Sequence, residues 1–179
     1  FWLNTKNGAN IAGTELGVEV IVKGPNNETD IQAQIDIMEE IILKKPKAIA
    51  IAASDYNELS EVCSKAIDAG ISLVTFDSDV NIEQDHSFVG TNNRIAAQRL
   101  GHELGVLMKE EGKVAIISHV EGSFTAIERV EGFKQGMKPY KDIAIVGDVY
   151  YADNNREISY KIVKKIIEDY PTISGIYAT

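Results

Sequence analysis

The 179 residues are 44% hydrophobic and 25% charged, which is enough to build one large domain or two small lobes and excludes a disordered segment. The formal net charge is -9, and no run of basic residues offsets it. Such a surface repels phosphate backbones, so we expect no nucleic-acid partner for this segment.

Short continuous apolar runs alternate along the chain with longer amphipathic stretches. Six of these runs predict strands that are covered on both faces, because their apolar residues are continuous rather than alternating. The predicted strands are 18–22, 48–53, 72–76, 113–118, 143–149 and 173–178.

Helices are predicted between the strands, and also before 18–22, because apolar residues there recur every three or four positions. Two helices begin with the spacing of a capping box, Thr29 with Gln32 and Thr125 with Glu128. The alternation predicts an α/β protein with parallel sheets and helices on both faces. The stretch 109–113 is the best candidate for a crossing between two lobes.

Cys63 is the only cysteine, so no internal disulfide and no multi-cysteine metal site can form. It shares a predicted helix face with Leu59, Val62 and Ala66, which favours burial as a small apolar side chain over a reactive thiol. No apolar stretch reaches the roughly 18 residues that a membrane span needs.

Polar side chains follow most of the predicted strands. In open parallel sheets, ligands bind beyond the carboxyl ends of the strands. Those segments are KGPNN, SDYNE, DSDVN, HVEGS and YYADNN, which are rich in groups that hydrogen-bond to hydroxyls. They contain no G-x-G-x-x-G and no G-x-x-x-x-G-K-S/T, so a dinucleotide or nucleoside triphosphate is disfavoured and no cofactor is expected.

The sequence also argues against an enzyme. The three histidines are scattered, and no G-x-S-x-G elbow surrounds a serine at a strand end. His119 follows a strand, where a structural hydrogen bond and a ligand contact are both open. We do not expect Asp77 and Asp79 to share a catalytic proton as an acid–base pair. They also lack the pattern of a calcium loop.

Asp77 comes directly after the predicted strand 72–76 and has two possible roles. An ionised carboxylate there is a strong acceptor for vicinal hydroxyls of a ligand. It can equally form a turn or cap a helix in a polar loop. The pattern alone leaves both interpretations open.

Several segments are similar to the periplasmic sugar-binding proteins of the ribose- and galactose-binding superfamily. They are FWLNTKNGANIAGTELGVEV, AIAIAASD, GISLVTFDSD, FVGTNN, ERVEGF and YYADNNRE, in the family's order and spacing over essentially the whole chain. The resemblance implies a two-lobed periplasmic-binding-protein fold that is incomplete at both ends. Residues 1–110 would be the N-terminal lobe without its first strand, and 111–179 the first part of the C-terminal lobe.

The resemblance also implies ligand contacts from the first lobe. Phe1 and Trp2 match the aromatic pair that stacks on a sugar ring in this family, although they can instead plug the core. Asp77 matches the strand-end aspartate that accepts sugar hydroxyls. Ser78 stands where the ribose-binding member has an arginine, so its sugar contact is different or absent.

From the second lobe, Arg129 matches an arginine whose planar donors fork onto sugar oxygens. A surface salt bridge to Glu128 or Glu131 is the alternative. Asn154 falls where some members have an aromatic residue, so stacking from that side is in doubt. Asp153 beside it can instead cap the final helix.

The function implied by the resemblance is capture of a small polar ligand, with a monosaccharide expected, between the two lobes. A membrane permease or a sensor domain would then be the partner, and the protein would be extracytoplasmic. The alternative is the effector domain of a lac repressor-like regulator. Such a regulator is cytoplasmic, and its DNA-binding module would lie outside this segment. Neither implies a metal or a catalysed reaction.

Overall fold

The structure is a computed structural model that describes residues 2–179, so the prediction for Phe1 lies outside the described residues. The helices are α1 Trp2–Leu16, α2 Ile31–Leu43, α3 Ser60–Asp68, α4 Asn93–Leu107, α5 Phe124–Met137 and α6 Arg156–Asp169. The strands are β1 Ala48–Ile51, β2 Ser72–Phe76, β3 Ser87–Val89, β4 Glu111–Ser118, β5 Asp142–Ile145, β6 Tyr150–Tyr151 and β7 Gly175–Ala178.

The strands form two parallel sheets, which confirms the predicted α/β class. The first sheet has the order β1-β2-β3, with Ala48 opposite Ser72 and Val74 opposite Ser87. In the second sheet β4 is central: it pairs with β5 and β6 along one path and also with β7. The carboxyl ends of the strands in each sheet therefore share one edge, where the polar segments emerge.

The core of the first lobe lies between its sheet and helices α2 and α3. Leu59, Cys63 and Ala66 are fully buried there, as their shared helix face predicts. Burial, with a contribution from the charge of Asp79, raises the pKa of Cys63 to about 12. The thiol is therefore protonated at neutral pH and packs as a small apolar group.

In the second lobe, helices α4 and α5 approach each other through glycines. A Cβ on Gly101 would lie 2.6 Å from the carbonyl oxygen of Phe133, and one on Gly136 would lie 2.1 Å from that of Gln98. The predicted division after residue 110 stays a prediction, but α4, which it assigns to the first lobe, packs here against α5. The side chain of Phe133 is fully buried and stacks on Tyr177 with ring centroids 4.0 Å apart.

Residues 18–22 do not form the predicted strand. Their apolar side chains are exposed, Ile21 to 67% and Val18 to 58%. A strand is held by hydrogen bonds to a neighbour, and no strand within residues 2–179 lies beside this segment. Two short strands that the pattern did not predict, β3 and β6, complete the sheets.

The helix caps also differ from the predicted ones. The capping residues are Asp30, Asn92, Ser123 and Asn155, whose side chains accept from backbone amides of the first turn. Ser123 is extended before α5, so the helix begins before Thr125. The hydroxyl of Thr125 is within hydrogen-bonding distance of His119 instead, at 2.9 Å.

Candidate functional site

The two lobes meet beyond the carboxyl ends of their strands. The amide of Tyr56, after β1, donates a hydrogen bond of 2.9 Å to the carbonyl oxygen of Gly122, after β4. Beside this bond the ring of Phe124 lies 5.3 Å from Tyr56 and 5.6 Å from Phe88, measured between centroids. These contacts join the two strand-end edges, and we refer to the region between these edges as the cleft.

Asp77 lies at this cleft, directly after β2. Its backbone turns in the left-handed region, with φ of 59°, and its amide donates 2.9 Å to the carbonyl oxygen of Val89. Its carboxylate accepts no hydrogen bond within the described part of the chain, so the side chain does not cap a turn or a helix. Burial raises the pKa of Asp77, the charge of Arg129 lowers it, and that of Glu28 raises it. Charges from both lobes therefore act on one carboxylate.

Arg129 reaches the same cleft from α5. Its Nε atom donates to Oδ1 of the buried Asn93 at 2.8 Å, which fixes the stem of the guanidinium group. Its Nη groups make no hydrogen bond within residues 2–179, so they are available to a ligand. The predicted alternative, a surface salt bridge with Glu128, does not form. Arg94 holds Glu128 through Nε at 3.0 Å and Nη2 at 2.5 Å.

Trp2 and Asn154 lie at the mouth of the cleft and share one partner, Glu28. The indole Nε1 of Trp2 donates to one carboxylate oxygen of Glu28, and the side-chain amide of Asn154 donates to the other. The indole ring meets Phe76 edge-on, with centroids 6.3 Å apart, and is 41% exposed. Trp2 is therefore not a plug of the core, and its contact with a ligand stays a prediction.

Glu28 is the site residue that sequence reasoning missed. It belongs to the exposed loop between residue 22 and α2. The strand-end segment considered above, KGPNN, stops one residue short of it. The polar composition of this loop therefore pointed to the site, but the sequence did not show where the carboxylate of Glu28 would lie.

Ser78 does not join this group in the same way. Only 5% of it is exposed, and its Oγ is the one buried side-chain polar atom in the described residues without a hydrogen-bond partner. Its carbonyl oxygen accepts from the amide of Ala53 at 3.3 Å, which ties the two strand ends together. A ligand contact by Ser78 stays a prediction.

His119 has a structural hydrogen-bonding role at the end of β4. Its Nδ1 lies 2.7 Å from Oγ1 of Thr179 and its Nε2 lies 2.9 Å from Oγ1 of Thr125. Burial lowers the pKa of His119, and the charge of Arg129 lowers it further. The imidazole is thus neutral at pH 7 and fixes two hydroxyl groups beside the guanidinium.

The segment from Asp77 to Asp79 is not extended, because Asp77 has a φ of 59°, and Asp79 has hydrogen-bond partners of its own. It accepts from Thr75 Oγ1 at 2.6 Å and from His86 Nε2 at 2.9 Å. Burial raises its pKa, but these hydrogen bonds outweigh that effect and hold the pKa below its usual value. The two aspartates share no proton and serve different purposes.

The described residues contain no group of three His, Cys, Asp or Glu side chains that is placed to hold a metal ion. None of the helices in residues 2–179 is long and apolar enough to cross a bilayer.

Comparison with curated proteins finds sugar-binding relatives. The D-ribose/D-allose-binding protein of Pseudomonas aeruginosa is 31% identical over 99% of this chain and 58% of its own length. The D-allose-binding periplasmic protein of Escherichia coli is 27% identical over 99% of this chain and 59% of its own length. The chain thus spans less than two thirds of these relatives.

Solved structures of sugar transport proteins are also similar to this chain. A sugar transporter from Clostridium phytofermentans matches with a TM-score of 0.88 and 32% identity, covering 99% of this chain and 65% of that one. A carbohydrate transporter solute binding protein from Agrobacterium radiobacter, in complex with D-arabinose, matches with a TM-score of 0.89 and 29% identity, covering 99% and 61%. The family model of the periplasmic binding protein domain matches residues 1–179. The chain therefore belongs to the periplasmic binding protein domain family.

Proposed function

We propose that the intact protein captures a monosaccharide between its two lobes and delivers it to a membrane transporter. The observation that carries this proposal is the convergence of Asp77 and Arg129 from opposite lobes on one cleft. A carboxylate accepts from vicinal hydroxyls and a guanidinium donates to ring and hydroxyl oxygens, so together they suit a neutral polyhydroxylated ligand. Trp2 supplies an apolar face at the mouth.

The relatives support the choice of ligand class. The curated relatives are named for ribose and allose, and a solved relative holds D-arabinose. All three are neutral monosaccharides with several adjacent hydroxyl groups. The same relatives favour a transporter over the alternative, the effector domain of a lac repressor-like regulator. A transport role places the protein outside the cytoplasm, with a permease as its partner.

Binding without turnover fits the site. Ligand contacts that form only when both lobes meet favour the closed arrangement, and a partner then recognises that arrangement. Asp77 and Asp79 do not form an acid–base pair, and His119 is held by hydroxyl groups. The proposed activity therefore makes and breaks no covalent bond.

A thermal-shift panel tests the proposal on the intact protein. Pentoses, hexoses, polyols, nucleosides and amino acids are compared at equal concentration. A ligand present at about 100 times its dissociation constant should add roughly 2.7 kcal/mol to the free energy of unfolding. We expect hits among pentoses or hexoses. A panel without any sugar hit contradicts the proposal, and hits among amino acids alone assign a different ligand class.

A further inference from the structure

We propose that Glu28 is a clasp that holds the two lobes together at the mouth of the cleft and sets the rate at which ligand leaves. The inference rests on the proposed function for its ligand. Its evidence, the contacts of Glu28 with both lobes, is separate from the Asp77 and Arg129 contacts that carry that function.

The first step is the geometry of the carboxylate. Glu28 belongs to the loop before α2 in the first lobe, whereas Asn154 follows β6 in the second. One oxygen of Glu28 accepts from the indole of Trp2, and the other accepts from the side-chain amide of Asn154. The two hydrogen bonds thus run from one side chain to both sides of the cleft. A carboxylate has two acceptor oxygens, so it can accept from two such donors at once, one on each oxygen.

The backbone of Asn154 strengthens this interpretation. Asp153 and Asn154 both adopt left-handed conformations, with φ of 48° and 53°. Such values are uncommon for residues other than glycine, and asparagine and aspartate tolerate them best. The turn directs the amide of Asn154 to Glu28 while Asn155 caps α6. The donor is therefore positioned by the fold and not by a flexible loop side chain alone.

The negative charge of Glu28 acts on the pKa of two side chains at the cleft, Asp77 and His119. Burial is the main cause that raises the pKa of Asp77, and Glu28 adds to it; Glu28 also opposes the lowering of the pKa of His119. Glu28 therefore lies close to side chains of both lobes that line the cleft. Under this proposal, a ligand between Asp77 and Arg129 leaves past this carboxylate and its two donors.

Three substitutions test whether Glu28 controls ligand release or only supports the fold. Glu28→Ala removes both contacts. Glu28→Gln keeps the shape, but its amide nitrogen faces one of the two donors, so one contact is lost. Asn154→Ala removes the second-lobe partner only. Glu83→Gln, an exposed glutamate elsewhere in the first lobe, is the control for loss of one negative charge.

Stopped-flow binding to the intact protein gives the first measurement, with D-ribose, D-allose and D-arabinose as probes. We expect Glu28→Ala to raise the dissociation rate constant about tenfold or more, because a hydrogen bond to a charged group changes an equilibrium constant by at least that factor. The association rate constant should change by less than about threefold, as is usual for contacts made after encounter. The dissociation rate constant of Glu28→Gln should lie between those of wild type and Glu28→Ala. Adding Asn154→Ala to Glu28→Ala should not raise the dissociation rate constant further.

Small-angle scattering of the ligand-free protein gives the second measurement, since a clasp shifts the equilibrium toward the closed arrangement. Glu28→Ala should have a larger radius of gyration than wild type and Glu83→Gln. If wild type binds no sugar, the proposed function fails, and the scattering comparison alone decides the role of Glu28. Equal dissociation rates in Glu28→Ala and wild type, or equal radii where no sugar binds, overturn the inference.

Discussion

Arg129 and Asp77 lie on opposite lobes; burial raises the pKa of Asp77, and the positive charge of Arg129 partly offsets that rise. The stem of Arg129 is fixed by Asn93, while neighbouring Glu128 is occupied by Arg94. The guanidinium therefore has one structural bond and faces the cleft with its remaining donors. A ligand that forms hydrogen bonds to both residues would offset part of the free-energy cost of burying their charges.

This relationship predicts the effect of two conservative substitutions. Asp77→Asn and Arg129→Lys should each weaken sugar binding by about 2–5 kcal/mol, the usual cost of removing one partner of a buried charged contact. Lysine keeps the charge of Arg129 but loses its planar fork. Calorimetric titration of the intact protein measures both losses. Glu128→Gln is the matched control on the same helix, and wild-type affinity in Asp77→Asn and Arg129→Lys would remove both residues from the site.

Gly122 predicts a way to block closure without touching the ligand site. A Cβ there would lie 1.9 Å from Oδ2 of Asp55, and the φ of Gly122 is +84°, which strains any other residue. Gly122→Ala should therefore keep the lobes apart and weaken apparent affinity by more than about tenfold, because apparent affinity scales with the population of the competent state. Titration combined with scattering checks this. A variant that binds and closes like wild type would show that Gly122 is not at a closing contact.

The approach of α4 and α5 predicts a large stability effect at Gly136. A Cβ there would lie 2.1 Å from the carbonyl oxygen of Gln98, and backbone cannot move aside cheaply. Gly136→Ala should reduce the free energy of unfolding by about 1–3 kcal/mol. Gly8 in α1 is the matched control, because a Cβ there meets nothing within 4 Å, so Gly8→Ala should stabilise by up to about 1 kcal/mol. Denaturant unfolding distinguishes the two, and equal changes would contradict the packing.

The pair of Asp79 and His86 predicts a pH dependence of stability. Burial lowers the pKa of His86, but the hydrogen bond to Asp79 and other acceptors outweigh it, so the folded pKa lies above the ordinary value of 6.5. The folded state then binds the proton more tightly than the unfolded state. Its contribution is complete below pH 6.5 and is lost as pH rises through the folded pKa. Unfolding curves from pH 6 to 9 should show this loss, and His86→Gln should abolish it.

The sequence predicted most strands of the two sheets, and 72–76 is β2 residue for residue. The predicted burial on both faces is not found in β1 and β2, where buried residues alternate with more exposed ones. The strand prediction failed at 18–22, because an apolar run becomes a strand only beside a partner. Caps were misplaced by one or two residues, since Asp30 and Ser123 compete with the equally suitable Thr29 and Thr125.

The sequence could predict the site residues that directly follow a strand. Asp77 and His119 follow strands, and the topology brings those ends together. Glu28 was not predictable, because its role depends on how a loop of the first lobe meets a turn of the second. Trp2 was predicted as a ligand contact, and the structure adds its bond to Glu28.

The contact between Tyr56 and Gly122 is made by backbone atoms, an amide of one lobe and a carbonyl of the other. Exchange of a side chain such as Asp77 or Arg129 leaves the backbone groups of that hydrogen bond unchanged. In the proposed function, ligand preference is carried by side chains such as Asp77 and Arg129, which lie elsewhere on the same edges. On that proposal, residues that recognise the solute are distinct from the backbone contact that joins the lobes, so substitutions could change the preferred sugar without removing the contact.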